Sequence, residues 1–412
     1  MTETMQYFIE ILRAFVQETV PALPKNIEWK EFFYLSRIHS VTGITGYMLK
    51  KLPQGSVPEN EYTDRLLKSC NGTIINFASR GVAMTWLEQK YNSIGIPCVP
   101  MKGYIVRNFY PVPELRTYGD IDFLIKKEDR KKSHTFMIEN GYMCCDKSEN
   151  VWTYKSKNGH EVYEIHTKLL GRSFNNNESS VQYAESAWEH VTYVPEEGCY
   201  RFNEEFHIIY ILLHLAAHFA ASGAGARMFM DVALIMKKAS NLNWSEVADE
   251  MEKMCLSEFL GMILSLCEKW FGVLPPFEFD ITADTTMDTA IQDEISEYII
   301  SGGTFGAKNV DGITLKLKRA HKSSGNTSVR KMKMVAIFRE FFPGYAFMRS
   351  RYSALRKAPF LLPIFWIVRL ITSVIIRKGK GLQKIKQFTR RDIDKADRSY
   401  RMTEVMGLTS KK

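Results

Sequence analysis

Residues 95–125 read GIPCVPMKGYIVRNFYPVPELRTYGDIDFLI, and the fold turns on this stretch. GIPCVPM (95–101) is short, apolar and bounded by glycine and proline, the pattern of a buried strand. KGYIVRNFY follows as a short helix and PVPELRTYG as a loop. DIDFLI (120–125) is a second strand, and the charged run KKEDRKK after it opens a helix to about Asn140. Beyond it YMCCD, VWTYKS and HEVYEIHTKL alternate or run apolar, which predicts three more strands. Asn158-Gly159 marks a hairpin turn between the last two.

Outward from this centre the period changes. Residues 1–92 place apolar side chains three and four apart in IEILRAF and in WKEFFYLSRIHSVTGITGYMLKKL, with a further helix from about Asn71 to about Tyr91. From Glu204 the helical period returns. EEFHIIYILLHLAAHFAA is apolar nearly all round, as a buried helix is. Helices are predicted near 226–239, 244–254, 257–271 and 284–300, with loops at GTFGAKN and SSGNTS. The order helical, βαβββ, helical predicts an α+β protein: a small mixed sheet flanked by N- and C-terminal helical regions. The expected segments are a helical region at 1–92, the sheet-bearing core at 93–200, a helical domain at 201–310 closing a cleft, and a basic helical segment at 311–412.

The 412 residues are 45% apolar and 25% charged, values of a folded protein. Residues 313–412 hold 25 Lys+Arg and 5 Asp+Glu, leaving 30 and 41 of the chain's 55 and 46 to residues 1–312. The body is therefore acidic at −11 and the last hundred residues basic at +20. That split argues against a nucleic-acid partner, which would favour a basic face on the body. Seven scattered cysteines with no CxxC pair exclude a disulfide framework and a zinc ribbon. They fit a reducing cytoplasm. The N-terminus carries acids and no basic start, unlike a secretory signal. Nucleotide-binding glycine motifs of the GxGxxG and GxxxxGK[ST] types are absent, as are serine and cysteine nucleophile motifs.

Asp120 and Asp122 flank Ile121, so on a strand both carboxylates share one face. Two such charges repel unless a cation lies between them. Mg²⁺, or Mn²⁺, is the usual answer, held by carboxylates together with substrate phosphates. Read alone, the pair is a solvated DxD at a strand end. Three neighbours point further. Glu164 lies on another strand and can join the same metal. Lys102 and Gly103 stand where a strand turns into a helix, a place that favours phosphate. Arg116 precedes the acids by four residues and can neutralise phosphoryl charge. Together they describe a clamp for a nucleotide polyphosphate.

MKGYIVRNFYPVPELRTYGDIDFLI (101–125), VYEIHTKL (162–169) and LLHLAAHFAASGAGARMFMDVALI (212–235) together resemble a bacterial group of nucleotidyltransferase-like proteins in the DNA polymerase β-type superfamily. WKEFFYLSRIHSV near the start and FFPGYAFMRSRYSALRKAPFLLPIFWIVRL near the end share the likeness. The resemblance implies metal-dependent transfer of a nucleoside monophosphate from an NTP to an acceptor. Asp120, Asp122 and Glu164 would be the catalytic and metal-holding residues, with Glu164 completing the triad or acting as base. This chain departs from the superfamily in one respect. Lys102-Gly103 stands where Gly-Ser is usual, and 16 residues separate Gly103 from Asp120. That departure favours an alternative, a non-catalytic nucleotide-binding or regulatory protein.

His166 shares a strand face with Glu164 and is a candidate nucleotide contact. His214 and His218 lie four apart on one helix face, read either as core histidines or as site contacts. Arg227 and Asp231, also four apart, read as a structural ion pair or, by the resemblance, as part of the cleft border. Tyr104 and Tyr118 read as packing residues or as platforms for a base. APFLLPIFWIVRLITSVII (358–376) is nearly all apolar but carries Arg369 at its middle. It is read as a helix packed on the protein through Phe360, Leu361, Leu362, Phe365, Trp366 and Leu370, with weak membrane-surface contact through 358–380 or a membrane span as the alternatives. The tail from Lys384 is expected to fray. The resulting expectation is a cytoplasmic or membrane-peripheral transferase.

Overall fold

The computed structural model describes residues 1–117, 119–157, 159, 161–170, 178–221, 223–239, 241–275, 289–303, 338, 341–356, 358–377 and 390–409. Tyr118, Asn158 and the loops expected at GTFGAKN and SSGNTS, Gly303 apart, lie outside them. The chain forms two compact units, Met1–Gly306 with Met406–Lys412, and Ala307–Val405.

In the first unit four helices precede the sheet: α1 (Glu3–Gln17), α2 (Trp29–Ile38), α3 (Thr42–Leu49) and α4 (Glu61–Ser93). The last starts ten residues before the expected Asn71. Asn60 caps it, its side chain accepting from the backbone N–H groups of Tyr62 and Thr63 at 2.9 and 3.1 Å. Thr63 Oγ1 returns the bond to the Asn60 N–H, a capping box that sets the helix start. Helix α3 crosses α4 at very close range. A Cβ on Gly46 would stand 2.0 Å from the Leu66 carbonyl oxygen, so only glycine fits there.

The five expected strands are present as β1 (Cys98–Pro100), β2 (Ile121–Ile125), β3 (Met143–Lys147), β4 (Val151–Lys155) and β5 (Val162–His166). They form one mixed sheet in the order β1-β2-β5-β4-β3. Strands β2 and β5 run parallel and every other pair antiparallel. The parallel pair requires a crossover, supplied by α6 (Arg130–Glu139) and the β3–β4 hairpin. At the β4–β5 turn Gly159 takes φ +72 and donates to the Ser156 carbonyl at 2.9 Å. One sheet face packs on α4 and α6: Ile121, Phe123, Ile125, Tyr163 and Ile165 meet Met84, Leu87, Tyr91 and Met137 in one apolar cluster. The other face is left for polar side chains.

Next come α7 (Glu178–Glu185) and a separate hairpin of β6 (Val191–Val194) and β7 (Cys199–Phe202), none of them distinguished in the sequence. The helical stretch then follows expectation closely: α8 (Glu204–Ala221), α9 (Ala226–Lys238), α10 (Trp244–Lys253), α11 (Ser257–Phe271) and α12 (Thr289–Gly302). The result is α+β, mostly helical, with a small mixed sheet.

The second unit contains α13 (Tyr345–Arg351), α14 (Leu362–Arg377) and α15 (Arg390–Val405). Two expectations are corrected here. The tail does not fray throughout, since Arg390–Val405 is helical. Phe360 is not buried but 80% exposed. Phe365 and Trp366 are half-buried, on Tyr352 and Phe342. Among the described residues no helix is long and apolar enough to cross a membrane.

Candidate active site

Strand pairing assembles the acids. Parallel register sets Asp122 of β2 beside Glu164 of β5. Because side chains alternate, both project from the face opposite Ile121 and Phe123. His166, two residues beyond Glu164, reaches the same place, its Nε2 lying 2.9 Å from Asp122 Oδ1 and 3.6 Å from Glu164 Oε2. Asp122, Glu164 and His166 each offer a donor atom within 4.8 Å of the others. Asp120 precedes the strand and lines the same cavity, but stands outside that set. Burial raises the Asp120 pKa, and the Asp122 and Glu164 charges raise it further.

Lys102 completes the charge balance. Its ammonium stands 2.7 Å from Asp122 Oδ1, the oxygen that His166 also meets. Burial alone would lower the lysine pKa, but the Asp122 charge reverses this and holds it above its ordinary value. Burial likewise would raise the Asp122 pKa, and Lys102 and His166 hold it well below the usual carboxylate range instead. The backbone of Lys102 adopts φ +53, ψ −127, a conformation that costs a residue with a side chain about 1–3 kcal/mol. The turn is held by Met101 N–H on the Asp122 carbonyl and by Val106 N–H on the Lys102 carbonyl, at 3.2 and 3.0 Å. The strained turn directs the lysine at the acids.

The expected phosphate cradle at this turn is smaller than the sequence suggested. Helix α5 (Gly103–Val106) is a single turn, too short to develop much dipole. The Lys102 N–H is already spent on His207 Nε2 at 3.2 Å. Burial lowers the His207 pKa to about 4, so its ring stays neutral and accepts that bond.

Arg116 lines the cavity and is fixed by Asp231. Its Nε and Nη2 close on the two Asp231 oxygens at 3.1 and 2.6 Å, and its Nη1 donates to the Thr117 carbonyl at 3.0 Å. Tyr110 donates to Asp231 as well, at 2.5 Å. Asp231 is thus paired chiefly with Arg116, not with Arg227 as the i, i+4 spacing suggested. Arg227 lies 3.9 Å from Asp231, and its buried Nε has no hydrogen-bond partner. Burial and the nearby Arg116 charge lower its pKa.

A cavity of about 320 Å³ joins these groups, within reach of the ~300–1,000 Å³ usual for small-molecule sites. Its lining includes Lys102, Gly103, Arg116, Asp120, Asp122, Glu164, His214, His218, Arg227 and Asp231, with apolar walls from Val106, Ile211, Leu215 and Met228. The His214 and His218 rings meet edge to face at 4.4 Å. Burial first, and then the Lys102 charge, lowers both pKa values, so they are neutral near pH 7. Tyr104 packs on the core of the sheet, with Arg107 over its ring at 3.8 Å. His207, Tyr110 and Tyr210 escaped notice in the sequence. The signal for His207 and Tyr210 was present: together with His214 and His218 they fall at helical spacing along one side of α8.

Strand-borne acids thus face a cavity lined by cations, carboxylates and two histidines, on one side of the sheet of an α+β protein. A family model described as uncharacterised nucleotidyltransferase matches residues 25–272. The chain belongs to that family. No curated protein and no solved structure matches it.

Proposed function

We propose that this protein transfers a nucleoside monophosphate from an NTP to an acceptor. The observation that carries the reading is the cluster of Asp122, Glu164 and His166 at a cavity whose lining also holds Asp120, the cations Lys102 and Arg227, and the neutral His214 and His218. Family membership supports it, as do the motifs that resemble the DNA polymerase β-type superfamily. The acceptor oxygen attacks the α-phosphorus, the bond to the bridging oxygen breaks, and pyrophosphate leaves. Glu164, the less buried of the two strand carboxylates at 30% exposure, is placed to take the acceptor's proton. Lys102 and Arg227 bind the triphosphate, and Val106, Ile211 and Leu215 exclude water from the base side.

The residues fit a divalent ion. Asp122, Glu164 and His166 would hold it, with Asp120 beside them, and among the described residues the buried His166 Nδ1 has no hydrogen-bond partner. When bound, the ion supplies charge neutralisation for the triphosphate and the acceptor oxygen. An imidazole among carboxylates suits Mn²⁺ better than Mg²⁺. Seven free cysteines fit a reducing cytoplasm.

A second reading has its own support. Lys102 already neutralises Asp122, as a tethered cation in a nucleotide-binding regulator would. Labelled NTPs incubated with cell extract and Mn²⁺ or Mg²⁺ test both. Label transfer with stoichiometric pyrophosphate supports the transferase. Saturable binding with no pyrophosphate would leave the regulator.

A further inference from the structure

Helix α14 buries one side and bares the other. On the inner side Phe365 meets the Tyr352 ring at 4.8 Å, and Trp366 Nε1 donates to the Pro343 carbonyl at 2.9 Å while its ring stands edge-on to Phe342. On the outer side Ile364, Ile367 and Ile371 are 55, 58 and 53% exposed. Phe360, in the turn just before the helix, is 80% exposed and falls on the same line. The spacings of four, three and four residues put these side chains on one narrow stripe. Exposed singly they would mean nothing; a contiguous apolar stripe along one helix is a surface for a partner.

The surrounding charge says which partner. The stripe holds no charged residue, and it sits in a segment, 313–412, with 25 Lys+Arg against 5 Asp+Glu. Arg356 and Lys357 precede the stripe, and Arg377, Lys378 and Lys380 follow it. A second copy of this chain would bring the same +20 segment against itself and be repelled. A nucleic acid would answer the cations and leave the isoleucines in water. An anionic bilayer answers both, because acyl chains receive the stripe while headgroup phosphates face the flanking cations. A helix of 16 residues is about 24 Å long, short of a ~30 Å hydrocarbon core. It can lie in the interface but not cross it.

We propose that α14 lies in the headgroup layer of an anionic phospholipid membrane, with Phe360, Ile364, Ile367 and Ile371 inserted. The stripe shares no residue with the nucleotide cavity, so the proposal stands or falls independently of the transfer reaction. Vesicle flotation of the full-length protein tests it. The protein floats with phosphatidylcholine vesicles containing about 30% phosphatidylglycerol, and at least about tenfold less with phosphatidylcholine alone. About 0.5 M salt weakens the anionic binding by screening. The double variant Ile367→Asp/Ile371→Asp alters only outward side chains, keeps the wild-type circular dichroism and melting temperature, and loses about tenfold or more of its binding. Absence of flotation on the anionic vesicles overturns the proposal. So does a double variant that binds like wild type, which would reduce the contact to charge alone. A wild-type dimer that dissociates in the variant, seen by light scattering, would assign the stripe to a second copy instead.

Discussion

Asp120 and Asp122 stand two residues apart and respond oppositely to their surroundings. Asp122 is depressed by Lys102 and His166, so its contribution to stability is present above the unfolded carboxylate pKa and lost as pH falls through the folded value. Asp120 is raised by burial and by its acidic neighbours, so its contribution is present at low pH and lost as pH rises through the folded value. At pH 7, then, Asp120→Asn raises the melting temperature of the metal-free protein. Asp122→Asn lowers it, costing about 3 kcal/mol of stability, because a buried ammonium loses its counter-charge. Thermal melts of the two variants side by side check this; shifts of the same sign would refute the ion-pair account. Lys102 yields a second test. Its ammonium holds the carboxylate oxygen that a divalent ion would approach, so Lys102→Met binds Mn²⁺ about tenfold more tightly or better. The same variant binds NTP more weakly while nucleoside affinity is unchanged. Calorimetry reads all three. Mn²⁺ affinity at the wild-type value would mean the lysine does not compete with the ion.

At the scale of elements, the loop before β2 is fastened to α9 by Arg116 on Asp231, both buried. Breaking one partner of such a pair costs about 3–5 kcal/mol, so Arg116→Ala unfolds the protein at markedly lower denaturant. Arg227→Ala, which loses only a 3.9 Å ion contact and a 3.3 Å bond to the Thr117 carbonyl, changes stability little and weakens NTP binding instead. Denaturant curves paired with NTP titrations separate the two arginines; equal stability losses would show that both are structural. The α3–α4 crossing is similarly specific. Gly46→Ala drives a methyl into the Leu66 carbonyl and destabilises by about 1–3 kcal/mol through forced separation of the helices.

Across the whole molecule, the chain leaves the first unit after Gly306 and returns to it at Met406. Gly407 takes φ +66 where a Cβ would stand 2.7 Å from Glu258 Cβ and 3.1 Å from Phe259 N, at the start of α11. Met406 and Leu408 are buried beside it. Deleting residues 406–412 removes that closure, and loss of two buried apolar side chains costs about 1.5–3 kcal/mol each. The expected result is a lower melting temperature for the first unit, with its nucleotide cavity intact. An unchanged melt would show that the C-terminal residues add nothing to it.

Local pattern marked most of the elements, though not α7 or the β6–β7 hairpin. Alternation in DIDFLI and VYEIH, glycine and proline bounds at 95–101, and the 3.6-residue period from Glu204 each mark a strand or helix through interactions within a few residues. The same reasoning placed Asp120 and Asp122 on one face of their strand and Glu164 and His166 on one face of theirs, because the period of a strand is two whatever it packs against; the parallel β2–β5 pairing then brought the two faces together. What local pattern missed is non-local. Asp231 pairs chiefly with Arg116 across 115 positions of sequence, and only at 3.9 Å with Arg227 one helical turn away. Nothing in an RxxxD spacing reveals that a distant loop carries a better-placed guanidinium. Lys102 lies on Asp122 only because β1 and β2 are antiparallel neighbours, and His207 takes the Lys102 N–H only because α8 crosses that turn. The apolar run at 358–376 predicted a helix correctly. Which of its faces would be covered depended on Tyr352, Phe342 and Pro343, and so on tertiary packing.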